Sequence, residues 1–258
     1  MPPVFKPCIV VPVYDHADAI ATAVAGLKPH GVPAYLVDDG SHAACAQALD
    51  AVAAAEADWV TLIRLSPNQG KGAAVMAGFE AASAAGYSHA LQIDADGQHD
   101  PEAIPALLDL ARSHPQALIT GIPIYDASVP RSRLYGRYVT HVWVWINTLS
   151  LRIRDSMLGF RVYPLAPALQ VWRSQHVGRR MDFDTEIMVR MFWDGVDVIS
   201  LPTRVTYPLD GVSHFDLWRD NLRISQMHAR LFVGMLWRLP RLLLRRLGFA
   251  ARPLESSR

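Results

Sequence analysis

Short apolar runs alternate with longer Ala-rich or amphipathic stretches through the first two hundred residues. Cys8 to Val13 (CIVVPV), Tyr35-Leu36-Val37, the alternating Trp59 to Leu65, Ala90-Leu91-Gln92-Ile93 and Ala117 to Ile124 read as strands. Between them Ala17 to Leu27, His42 to Ala57, Ala73 to Ala85 and Pro101 to Ser113 read as helices. Strands separated by single helices predict βαβ units and a largely parallel sheet. No internal repeat or low-complexity linker interrupts the pattern, so one α/β domain is expected over residues 1–215.

The pattern changes after that boundary. Leu217 to Leu247 is rich in Leu, Ile, Met and Trp but punctuated by Arg223, Arg230, Arg238, Arg241, Arg245 and Arg246. Residues 216–258 therefore read as a basic amphipathic tail, a helical pair broken or kinked at Pro240. Such a pair suits the interface of an anionic membrane. The alternative is a helix packed on the domain with its arginines in water.

Composition narrows the class. With 258 residues, 51% hydrophobic and 19% charged, the chain can bury a sizeable core and is not disordered. The net charge of +1 hides an asymmetry, because acids prevail before residue 110 and bases after it. All but three of the 25 basic residues are Arg, the side chain that grips phosphate in bidentate fashion. An acidic half able to hold a cation, followed by an Arg-rich half, suits a phosphorylated ligand lying between them. Cys8 and Cys45 suggest neither a disulfide framework nor a metal cluster. The proline-broken start is too short for a signal peptide, and no apolar run reaches the ~20 residues of a spanning helix. A cytoplasmic location is expected.

Four polar segments follow four successive strands: Pro12-Val13-Tyr14-Asp15, Asp38-Asp39-Gly40-Ser41, Asn68-Gln69-Gly70-Lys71-Gly72 and Asp94-Ala95-Asp96-Gly97-Gln98-His99. Strand ends on one edge of a parallel sheet converge, and open α/β sheets keep their ligands there. Asp39 is placed to accept hydrogen bonds from a ribose or a base edge. Gly70 and Gly72 let the backbone approach a ligand, and Lys71 is placed to meet a phosphate, although the spacing is not that of a Walker loop. Asp94 and Asp96 at a strand exit can share one hard divalent cation of the kind that holds phosphates. The competing reading is a turn whose aspartates cap the helix beginning near Pro101. His99 reads as a turn residue rather than a ligand, since the local donors are oxygen-rich.

In this order and spacing, P-V-Y-D-H, D-D-G-S, N-Q-G-K-G and D-A-D-G-Q-H resemble family 2 glycosyltransferases, and among them the dolichyl-phosphate mannose synthase-like group. The resemblance continues through Asp155-Ser156-Met157-Leu158-Gly159-Phe160-Arg161, with Leu158 where that group has serine, and through Phe183-Asp184-Thr185-Glu186-Ile187. It covers roughly residues 7–215. It implies a GT-A fold, a Rossmann-like, mostly parallel sheet flanked by helices, here with a C-terminal basic amphipathic segment. It also implies a nucleotide-diphosphate sugar donor and Mg²⁺ or Mn²⁺. By matching positions Pro12, Tyr14, Asp15, Asp39, Gly70, Lys71, Asp94 and Arg161 would contact or surround the donor. Asp94, Asp96 and Gln98 would lie at the metal. Family members invert the anomeric centre by direct displacement.

A hydroxyl acceptor needs a base within hydrogen-bond reach. Asp184 is the first candidate, Glu186 the second, and Asp182 completes the set; the alternative is a group of acids complementing a helix N-terminus. A lipid phosphate is already anionic and needs no base. Arg131, Arg133 and Arg137 fall where the lipid-phosphate enzymes keep phosphate-binding arginines. His214, in Gly211-Val212-Ser213-His214, stands where that group has another basic residue. The expected partners are therefore the sugar donor, a lipid acceptor and an anionic membrane surface on the inner face of the cytoplasmic membrane, with no nucleic acid. A haloacid dehalogenase-type phosphatase would need its D-x-D after the first strand, and a nucleotidyltransferase would need a Gly-rich basic loop there. A non-catalytic sugar-nucleotide-binding relative would be expected to have lost one of the acids.

Overall fold

A computed structural model of the chain describes residues 4–124, 131–206 and 216–246, with the side chains of 131–135, 217 and 246 outside that description. Strands β1 (Pro7–Val13), β2 (Ala34–Asp39), β3 (Val60–Leu65), β4 (His89–Gln92), β5 (Leu118–Ile124), β6 (Arg161–Pro164) and β7 (Val198–Arg204) form one sheet in the order β3-β2-β1-β4-β6-β5-β7. β6 runs antiparallel to β4 and β5; the remaining pairings are parallel. The helices are α1 (Ala17–Leu27), α2 (Ala43–Ala55), α3 (Lys71–Ala84), α4 (Ile104–Ser113), α5 (Arg131–Thr148), α6 (Leu165–Ser174), α7 (Phe183–Trp193) and α8 (Leu217–Arg246).

Two-residue alternation divides the central strands between two cores. Cys8 and Val10 of β1, with Tyr35 and Val37 of β2, pack beneath α3, α6 and α7. Ile9, Val11 and Val13, with Ala34 and Leu36, pack on the other face against α1, α2 and α4. Both faces are covered, which is why these strands read as continuous apolar runs.

Two elements depart from the sequence pattern. β6 is not separable from its flanks in the sequence, because it is four residues long and opens on a fully buried charge, Arg161. The tail is one thirty-residue helix that contains Pro240, not a broken pair. A proline inside a helix costs ~3 kcal/mol, but Met235 before it and Leu242 after it are both buried against the domain. Arg238 lies over the Trp193 ring at 4.7 Å, and Arg245 reaches Asp197 at 2.9 Å. The helix therefore runs on through Pro240 with packed residues on both sides.

α8 lies on α5 and α7, burying Met227, Leu231, Met235 and Leu242 in the same core as α3 and α6. Its outer face stays apolar, with Trp218 88% and Trp237 84% exposed, and α5 adds exposed Tyr138 and Val139. No helix among the described residues is long and apolar enough to cross a membrane.

Candidate active site

The parallel strands β1, β2, β3 and β4 end on one edge, and their loops meet there as the polar segments predicted. Asp15 follows β1 at φ +54°, a conformation that Asp tolerates better than most residues. Its carboxylate accepts from the His42 amide at 2.8 Å and contacts the His42 ring at 2.6 Å, while its own amide donates to Ser41 Oγ. Pro12 is buried beneath this loop and Tyr14 half-buried. Asp39, at the end of β2, accepts from the Gln69 amide at 2.7 Å, the Gly70 amide at 2.8 Å and Asn68 Nδ2 at 3.0 Å. Burial raises its pKa despite those donors. Asp38 faces the other way and takes Arg64 Nε at 2.8 Å, tying β2 to β3 and α2. Gly70 sits at φ +102° with Arg179 O against it, so a side chain there would meet both strain and backbone.

Lys71 opens α3 rather than lying in the loop before it. Its Nζ stands 2.8 Å from Asp94 Oδ1 and 2.8 Å from Asp184 Oδ2. The ammonium thus bridges the end of β4 to the first turn of α7. Burial alone would depress its pKa, but Asp184 and Asp94 outweigh burial and hold it above the ordinary lysine range. Burial likewise opposes ionisation of Asp94, and Lys71 together with His99 overrides it, holding the carboxyl well below the usual carboxylate range. Gly159, of the G-F-R segment, approaches this pair so closely that an added Cβ would lie 2.5 Å from Asp94 Oδ2 and 2.7 Å from Lys71 Nζ.

Asp184 is held from below. Gln92 Nε2 donates to its Oδ1 at 2.9 Å, so both carboxylate oxygens already carry a donor. Arg161 is fully buried and donates to the Asp184 carbonyl, to Ser156 O at 2.7 Å and to Tyr163 OH at 3.1 Å. It therefore supports the site from inside instead of lining it, which corrects its expected place at the donor. Burying a guanidinium is costly, and these acceptors offset that cost. Gln92 and Tyr163 were missed by sequence reasoning. The one available signal was Gln92 itself, an amide inside an otherwise apolar strand.

The Asp94-to-His99 turn separates two roles that the sequence left open. Capping is done by Asp100, whose side chain accepts from the Glu102 amide at 3.1 Å. Asp94 and Asp96 cap no helix; Asp96 Oδ1 accepts from the Gln98 amide at 3.0 Å, and the residue is half-buried. His99 is buried, its ring stacked on Phe160 at 5.2 Å and its Nε2 3.7 Å from Asp94 Oδ2. Among the described residues no group of three or more His, Cys, Asp or Glu could by itself hold a metal ion. The donors are two carboxylates and one carboxamide, all hard oxygens, and Asp94 already has a cation, the Lys71 ammonium, beside it. This fits an open site in which Mg²⁺ or Mn²⁺ is completed by a ligand's phosphates.

The other acids lie behind Asp184. Glu186 is fully buried, accepts from the Gly178 amide at 2.8 Å and Arg190 Nη2 at 2.7 Å, and takes Arg230 Nη2 at 3.0 Å. Asp182 stands 3.6 Å from the same Arg230 nitrogen and accepts from the Arg180 amide. Arg137 is committed to Asp155 through two bonds of 2.6 and 2.9 Å, joining α5 to the loop before Gly159. The side chains of Arg131 and Arg133, on the first turn of α5, and all of His214 lie outside the described residues.

Glycosyl transferase family 2, compared as a family model, matches residues 8–170. The chain belongs to that family. It is 27% identical over 225 residues to the polyprenol monophosphomannose synthase of Mycolicibacterium smegmatis, covering 82% of this chain and 81% of that protein. It is 36% identical over 117 residues to an undecaprenyl-phosphate 4-deoxy-4-formamido-L-arabinose transferase of Klebsiella pneumoniae, which is 43% of this chain and 35% of that relative, about a third of its length. The mannosyltransferase PcManGT of Pyrobaculum calidifontis, solved with GDP-Man and Mn²⁺, superposes with a TM-score of 0.57 at 13% identity, over 96% of this chain and 76% of that one. S. aureus TarS superposes at 0.59 with 14% identity, over 95% and 73%. These likenesses show the fold, the GT-A fold that the motifs implied.

Proposed function

We propose that this glycosyltransferase moves a sugar, with inversion, from a nucleotide-diphosphate sugar to the phosphate of a membrane-held polyprenyl lipid. The observation that carries this reading is the Lys71 bridge, which joins the D-x-D strand end to the late acid Asp184. Donor leaving group and acceptor must meet between those elements for a direct displacement.

The nucleoside is taken up by the loops after β1 and β2, against Pro12, Tyr14, Asp15 and Asp39. The Lys71 ammonium and the α3 start it opens on face the diphosphate. Asp94, Asp96 and Gln98 supply hard oxygen donors for Mg²⁺ or Mn²⁺, which when bound neutralises charge on the departing diphosphate. The acceptor oxygen attacks C1 of the sugar, the bond from C1 to the diphosphate oxygen breaks, and the nucleoside diphosphate leaves with the electron pair.

A lipid phosphate oxygen is already anionic, so no proton moves in this step. Gln92 on one Asp184 oxygen and Lys71 on the other fix the carboxylate between β4 and α3, which suits a group that positions Lys71. Asp184 then acts by holding Lys71 in place. The names of the relatives, a polyprenol monophosphomannose synthase and undecaprenyl-phosphate transferases, support the same acceptor class. Arg131, Arg133 and His214 are the candidates to hold the acceptor phosphate. The outward apolar face of α8, edged by arginines, suits an anionic membrane surface.

The deciding experiment incubates purified protein with a panel of radiolabelled nucleotide sugars and polyprenyl phosphate, with and without chelator. Label in the lipid phase that disappears with EDTA and returns with Mn²⁺ is expected. Transfer to water alone, or full transfer in EDTA, would overturn the reading.

A further inference from the structure

A cavity of about 540 Å³ opens between the α6–α7 loop and α8. It shares Gln69 with the Asp39 loop, but none of Asp15, Asp39, Lys71, Asp94 or Asp96 lines it. Its charge is strongly one-sided. Arg179, Arg180, Arg223 and Arg230 surround it, and the single acid in its wall is Asp182. Its size lies within the ~300–1,000 Å³ common to small-molecule sites and far exceeds what one water or chloride would fill.

Each of these arginines is held at the cavity wall by different contacts. Arg179 stands over the Trp172 ring at 5.8 Å, with its carbonyl accepting from the Ala73 amide. Arg180 donates to Asn68 Oδ1 at 3.0 Å, and Asn68 in turn donates to Asp39. Arg223 is anchored on Asp220 at 2.8 Å. Arg230 spends one nitrogen on Glu186 and Asp182, and its buried Nε has no partner among the described residues. Arg223 and Arg230 are matched by Asp220, Glu186 and Asp182, whereas Arg179 and Arg180 form no ion pair among the described residues, which leaves the convergence short of negative charge. Such convergence is stabilised by an anion, and planar guanidinium forks match phosphate oxygens in bidentate fashion.

We propose that this cavity is a second anion site, taking the phosphate or diphosphate group of a molecule other than the sugar donor. Trp172 and the glutamine side chains in the wall hold the rest of that molecule. The same chemistry is carried by a soluble phosphoester and by a phospholipid headgroup, whose chains would run onto the apolar face of α8 beside Trp218 and Leu222.

The test is calorimetric titration of the full chain, kept saturated with nucleoside diphosphate so that the donor site is filled. One arm uses inorganic pyrophosphate, the other dihexanoyl phosphatidate below its micellar concentration. Binding of at least one is expected, weakened tenfold or more in Arg179→Ala and further in Arg179→Ala/Arg223→Ala, with nucleoside diphosphate affinity unchanged. Tighter pyrophosphate points to a soluble ligand, and tighter phosphatidate to a lipid. Quenching of fluorescence that is lost in Trp172→Phe locates the event. Binding of neither probe, or binding indifferent to both variants while their melting temperatures match the parent, would overturn the proposal. The readout is binding, so an outcome against sugar transfer leaves this test intact.

Discussion

Lys71 Nζ lies 2.8 Å from Asp184 Oδ2, closing a contact between residues 113 apart in sequence at the head of α3 and the first turn of α7. The same nitrogen neutralises Asp94. Removing it leaves the buried Asp184 and the half-buried Asp94 without the cation they share. Breaking a buried ion pair from one side costs ~3–5 kcal/mol, so Lys71→Met should lose about that much in urea denaturation. Lys71→Met/Asp184→Asn should recover part of the loss, as coupled neighbours do. Additive losses in the double variant would show that the two side chains act independently.

Asp96 tests the donor side without disturbing the fold. It is half-buried, and the one side-chain bond it makes among the described residues closes a local turn. Asp96→Ala should therefore keep the parent melting temperature within ~0.5 kcal/mol of stability, while release of nucleoside diphosphate falls a hundredfold or more. Activity of that variant within threefold of the parent would remove Asp96 from the machinery.

Asp184 and Glu186 are two residues apart and should fail in different ways. Asp184→Asn keeps an acceptor for Lys71 but loses the charge that fixes it, so kcat should drop ten- to hundredfold with the pH profile unmoved. A general base would instead take the ascending limb of that profile with it. Glu186 touches Gly178, Arg190 and Arg230 and is fully buried. Glu186→Gln should cost ~2–4 kcal/mol of stability through the arginines it leaves unpaired, with loss of activity following loss of fold.

The sheet and the edge carrying the site were legible because parallel strands covered on both faces must be apolar, and the polar loops between them stand out. The placement of Asp39 and Lys71 at that edge was legible for the same reason. What the sequence hid was support from afar: Gln92 and Arg161 act on Asp184 across β4 and β6, and no local periodicity records a contact over 92 residues. At Pro240 a break or kink was expected, and the helix continues without a break, with Met235 and Leu242 buried on either side. Its arginines were expected in water or at a membrane, yet Arg230 turns inward to Asp182 and Glu186. Pairing between distant charges is a property of the packed helices, not of spacing.

His228 gives a pH signature. It is buried against α5, its ring stacked on Trp143 and its Nδ1 3.4 Å from Asn147, and burial pushes its pKa down to about 4 although Glu186 opposes the shift. The unfolded value is ~6.5, so the fold keeps the neutral ring. The stability this contributes is fully present above pH ~6.5 and is lost as pH falls toward 4. A shift of this size corresponds to an effect on the order of 3 kcal/mol. The parent should lose melting temperature between pH 7 and 4.5 more steeply than His228→Asn. Parallel curves for the two proteins would show that His228 does not titrate with folding.

The apolar face of α8 gives the last expectation. Trp218 and Trp237 are among the most exposed large side chains described, and both lie on a helix whose opposite face is buried in the core. A soluble surface gains nothing from exposing indoles, whereas a membrane interface accepts them, with nearby arginines meeting anionic headgroups. Trp218→Ser/Trp237→Ser removes apolar area without touching Met227, Leu231 or Met235, so the fold should persist. In flotation with vesicles containing phosphatidylglycerol, the bound fraction of the parent should exceed that of the double variant at least tenfold. Added salt should weaken the parent further by screening its arginines. Equal flotation of both proteins would mean that α8 does not meet the membrane through this face.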